Sequence, residues 1–151
     1  MKNPLRRFLA AACLLFGTFA FAADTPPVTP AAPSGSAEES ARLAKEWLVH
    51  VDTGDYAQSW KEAASRFKAS VSQDRWVAAM NQVRQPLGAV SARELVEATF
   101  TDEVPRAPKG EYWVVKFKTT FEAITANELL TFAAEPDGTW RVSQFFIRPA
   151  T

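Results

Sequence analysis

Two hydrophobic rhythms divide the chain. In "EESARLAKEWLVHVD" the residues Ala44, Trp47, Leu48 and Val51 recur at i, i+3, i+4 and i+7, which predicts an amphipathic helix. Gly54 suits the left-handed position just past its end. Asp55 then stands as an N-cap, and Asp55-x-x-Gln58 has the form of a capping box that opens a second helix. Tyr56, Trp60, Ala63, Ala64 and Phe67 form the stripe of that helix. A third begins near Ser70 or Ser72 and presents Trp76, Met80, Val83 and Leu87; Pro86 and Gly88 end it.

From Ala89 onward the period is two. "YWVVKFKTTF" sets Trp113, Val115, Phe117 and Phe121 on one face against Lys116, Lys118 and Thr120 on the other. "AVSARELVEATF" precedes it as a first strand and "LLTFAA" follows as a third. "EPDGTW" places Pro136 and Gly138 as a type I turn with a glycine bulge requires. In the last strand Trp140 and Val142 share a face while Phe145 and Ile147 have the opposite parity, which predicts a bulge near Ser143-Gln144 or an end buried on both sides. The expected fold is α+β, with three N-terminal helices packed on one face of a curved, four-stranded antiparallel meander.

The N-terminus has a different character. "MKNPLRRF" is basic, "LAAACLLFGTFAFA" is an uncharged apolar run, and Ala20 and Ala22 are the small residues a signal peptidase reads. Residues 1–22 are therefore expected to be a signal peptide, since about 15 apolar residues fall short of the roughly 20 of a spanning helix. Cleavage after Ala22 removes Cys13, and lipidation there would leave "LLFGTFAFA" exposed as a new N-terminus. Residues 23–37, rich in Pro, Ala and Ser, read as a disordered tether, and the folded domain as 38–151. The protein is expected to be exported, periplasmic if the cell has two membranes and secreted otherwise. Without residues 1–22 the charged residues fall from 17 basic and 17 acidic to 14 and 17, a net charge of −3. That balance argues against nucleic-acid binding through phosphate contacts.

Candidate chemistry is sparse. His50 and Asp52 are two apart on a helix, so their side chains diverge by about 200° and cannot form a dyad locally. One histidine and no cysteine in the mature chain leave no set of metal ligands and imply no cofactor. Ser59 lacks a base at any recognisable spacing, so no catalytic residue is assigned. Asp52 is free of the cap assigned to Asp55 and could bond to Tyr56, Ser59 or an arginine. Arg84 and Arg93 flank the "PLG" break and suit either an ion pair that orients helix against strand or an anion pocket. The candidate binding positions are thus Asp52, Tyr56, Ser59, Trp60, Arg84 and Arg93.

The same residues carry a resemblance. Trp47, Leu48, Asp52, Gly54, Tyr56, Ser59 and Trp60 resemble a Trp-Leu-x-x-x-Asp-x-Gly-x-Tyr-x-x-Ser-Trp pattern. Arg84, Pro86, Leu87, Gly88 and Arg93 follow as a second block, then Pro108, Gly110 and Tyr112, then Gly138 and Trp140. Together they resemble an exported bacterial domain of unknown function, family 4019. That family tends to carry a glycine where this chain has Gln144, and requires no histidine at position 50. The order of elements is also similar to the nuclear-transport-factor-like α+β roll. Neither resemblance implies an established activity. The reading is an envelope binding or accessory module for a small molecule or envelope protein. Its rivals are a small pocket enzyme of the dehydratase or isomerase type using Asp52, and a structural homodimer that pairs sheet faces.

Overall fold

The computed structural model describes residues 35–150. The expected signal peptide, Cys13 and nearly all of the expected tether lie outside the described residues. Among the described residues four helices come first: α1 (Ala37–Asp52), α2 (Tyr56–Glu62), α3 (Ser65–Ser70) and α4 (Gln73–Arg84), the last running into a 3₁₀ turn, Gln85–Leu87. Four strands follow: β1 (Val90–Thr101), β2 (Tyr112–Phe121), β3 (Thr125–Ala134) and β4 (Trp140–Pro149). They form an open antiparallel meander in the order β1-β2-β3-β4. The α+β architecture expected from the two rhythms is the one observed.

Ser36 caps α1 by accepting from the Glu39 amide, and Ala44, Trp47, Leu48 and Val51 turn inward as their spacing requires. Gly54 sits at φ 80° past the end of α1, and the Asp55 side chain accepts from the Gln58 amide at 3.2 Å. The reciprocal half of the capping box is not made, because the Gln58 side chain donates to Glu62 instead. In β2 the inward residues Trp113, Val115, Phe117 and Phe121 are buried, with Thr119 among them. The turn after β3 closes with the Gly138 amide on the Glu135 carbonyl at 2.9 Å, Gly138 being at φ 79°.

Two expectations are corrected. The predicted second helix is two helices, broken at Ala63 and Ala64, both fully buried and extended in ψ. The break lets the Ala64 amide donate to the Val142 carbonyl of β4 at 2.9 Å, an approach that methyl side chains allow and bulkier ones would block. Val142 is free to accept because β4 carries the expected bulge: Thr131 pairs with Gln144 but Phe132 pairs with Val142, leaving Ser143 extra. The second correction concerns α4. Trp76 and Met80 are buried, but the stripe continues through Arg84 while Val83 is exposed. Arg84 is drawn in by the Phe121 ring, 4.6 Å from its guanidinium carbon, and by a carboxylate at the end of α1.

The core lies between helices and sheet. Trp47, Phe67, Trp76 and Phe145 meet there at ring separations of 4.9 to 6.3 Å in tilted and edge-to-face pairs.

Candidate functional site

The last residue of α1, the last of α4 and strands β1, β2 and β3 meet at one corner, where three of the candidate residues converge. Arg93 on β1 grips Asp52 in a bidentate pair, Nη1 to Oδ2 at 2.7 Å and Nη2 to Oδ1 at 2.9 Å. Arg84 adds a bond from Nη2 to Oδ1 at 3.2 Å. The Arg93 Nε turns the other way and donates to Oε2 of Glu128 at 2.7 Å, an oxygen that also accepts from the Thr119 hydroxyl. The side chains run from rim to interior: Asp52 is 26% exposed, Arg93 13%, Arg84 5% and Glu128 0%.

Two carboxylates and two guanidiniums make this corner neutral, which is what allows it to be buried. Burial works against the charge on Arg93, but the hydrogen bonds to Asp52 and Glu128 outweigh it and hold its guanidinium above its ordinary value. Both oxygens of Asp52 are engaged by arginine, so the carboxylate is not placed as a general base. Nε and Nη1 of Arg84 and Oε1 of Glu128 lack partners; the first two belong to the guanidinium against Phe121.

The other three candidates do not join this cluster. Ser59 is fully buried, its Oγ donates to the Tyr56 carbonyl and accepts from the Trp76 indole at 2.9 Å, and its own carbonyl accepts from the Trp47 indole at 2.9 Å. Trp60 donates to the Val71 carbonyl at 2.8 Å, and Tyr56 is buried in the core. Ser59 and Trp60 thus satisfy polar atoms within the core. His50 pairs with Glu62 at 3.1 Å on the surface.

A groove lies on the opposite face of the sheet. The outward residues pair in rows, Val114 with Thr131 with Gln144, then Lys116 with Leu129 with Phe146. The loop 102–111 reaches over the first row, where the Gln144 side-chain amide donates to the Pro105 carbonyl at 3.1 Å. Arg66 of α3 donates to the Arg106 carbonyl at 2.9 Å, and Arg106 is held at φ 65°. Loop, α3 and sheet enclose a groove of about 720 Å³, lined by Arg66, Arg106 and Arg148 and by the apolar Val114, Leu129 and Phe146 among others. An adjoining space of about 390 Å³ shares Leu129, Phe146 and Arg148 and adds Glu97, Lys116 and Pro149.

Residue spacing did not reveal Glu128, Arg66, Arg106 or Arg148. A signal for Glu128 was present: a lone carboxylate in "NELLTF" sits at the parity of the inward Leu130 and Phe132. A second signal is the parity slip in β4, which turns Phe145 inward and Phe146 outward.

Among the described residues no group of His, Cys, Asp and Glu is placed to hold a metal ion. The model of a family described as "Protein of unknown function (DUF4019)" matches residues 43–145. No curated protein matches the chain.

Proposed function

The chain belongs to the family of proteins of unknown function DUF4019, and we propose that within it this domain is a binding module of the cell envelope. The observation that carries the reading is the groove on the outer sheet face. Its volume of about 720 Å³ lies within the roughly 300–1,000 Å³ of small-molecule sites, and it joins apolar walls to a few polar groups. Export is supported by the basic, apolar and small-residue sequence of the first 22 residues.

The enzyme reading with Asp52 draws no support from the geometry, because both carboxylate oxygens are taken by arginine and neither groove space is lined by Asp52. The dimer reading is separated by sedimentation at micromolar concentration, where a second copy seated on the outer face would double the mass. A thermal-shift screen of a broad metabolite library tests the binding reading. At least one compound is expected to raise the melting temperature, and Phe146→Ser, an exposed position, to abolish that shift. A library that never moves the transition sinks the reading.

A further inference from the structure

Resting on the binding reading, we infer that the groove takes a single-chain carboxylate, with its head on Arg148 and its chain running along β3 and β4 toward the loop 102–111. Charge points to the head. Arg66, Arg106 and Arg148 all line the larger space, no carboxylate lines it, and none of the three is in an ion pair among the described residues. Arg66 is already committed to the Arg106 carbonyl. The Arg148 guanidinium donates to no protein group among the described residues: its carbon lies over the Phe146 ring at 5.6 Å, and in the adjoining space Lys116 stands with its cross-strand partner Glu97. A guanidinium against an apolar wall presents parallel N–H donors that match a carboxylate.

The apolar residues give the direction of the chain. From Phe146 and Leu129 the floor continues to Val114, and the roof at that end is Val104 and Pro105. Phe146 is 40% exposed, an aromatic face left uncovered beside a cation. Gln144 beneath the loop and Arg148 at the far end are four residues apart on one strand, about 13 Å. Cations at the two ends of the groove rather than in one cluster suit a monoanionic head more than a polyanionic one.

Titration calorimetry of the purified protein with decanoate, decan-1-ol, decyl phosphate and inorganic phosphate tests the inference. Decanoate is expected to bind, decan-1-ol to bind about tenfold more weakly or less, and Arg148→Gln to weaken decanoate about tenfold, as loss of one charge-assisted pair implies. Circular dichroism of Arg148→Gln checks that the fold is intact. Equal affinity for decanoate and decan-1-ol, with no loss in Arg148→Gln, overturns the carboxylate assignment and leaves the groove as a binding site. Decyl phosphate binding about tenfold tighter than decanoate also overturns it, in favour of a phosphate head. If none of the four binds, the inference fails, whereas the binding reading fails only if the library screen is silent as well.

Discussion

Asp52 shows how far a single side chain can be read before the fold is known. Its sequence context marked it as unused by a cap, and the fold supplies the user: Arg93, which bridges it to Glu128. Asp52 and Arg93 could be named from the sequence because both sit beside element breaks. Glu128 was legible only in part: its parity matches the inward Leu130 and Phe132, but only the pairing of the strands shows that Arg93 reaches it. Removing Arg93 leaves Asp52 to Arg84 alone and the fully buried Glu128 with only the Thr119 hydroxyl and no counter-charge, so Arg93→Ala is expected to destabilise by about 3–5 kcal/mol in urea unfolding. A loss below about 1 kcal/mol would show that the corner is solvated rather than clamped. Ser59 makes a parallel case. Ser59→Ala leaves the buried Trp76 N–H without its acceptor and is expected to cost about 1–3 kcal/mol by the same measurement.

At the scale of elements, helices and strands were legible wherever one period ran unbroken. The failure at Ala63-Ala64 has a physical cause: the apolar stripe continues in register while the backbone leaves the helix to reach β4. Periodicity records which side chains are buried and is blind to which backbone groups bond. The bulge in β4 was legible because it changes side-chain parity, and it is the same bulge that frees the Val142 carbonyl for Ala64. The elbow between α2 and α3 therefore depends on a small residue against the sheet. Ala64→Leu is expected to overpack it at a cost of about 1–3 kcal/mol, seen as a lowered urea midpoint, whereas an unchanged midpoint would mean the elbow is slack.

Across the whole molecule, the charge balance and the groove set the behaviour. Among the described residues three exposed carboxylates are held below their ordinary range: Glu38 by the backbone N–H at the start of α1 and by Ser36, Glu39 chiefly by Arg42, and Asp137 chiefly by the Thr139 hydroxyl and amide. A carboxylate depressed in the folded state contributes stability that is whole above its unfolded value and is lost as pH falls through the folded one. Thermal midpoints are thus expected to fall as pH drops below about 4. The raised guanidinium of Arg93 works with the opposite sign: its contribution is whole below its unfolded value and is lost only above the ordinary range of arginine. A midpoint that rises on acidification below pH 4 would contradict the carboxylate account.

The groove was hidden from sequence for a reason that belongs to this scale. Arg66, Arg106, Leu129, Phe146 and Arg148 come from a short helix, a loop and two strands, and only the meander with its overlying loop brings them together. The division of labour we propose follows: the Asp52 corner holds the fold, and the outer sheet face is the binding surface. The most direct test is an amide and arginine side-chain NMR titration of the purified protein with decanoate. Progressive shifts are expected at Leu129, Gln144, Phe146 and Arg148, with Asp52, Arg84 and Arg93 unmoved. Shifts centred on Asp52 and Arg93, with the outer face silent, would contradict that division of labour.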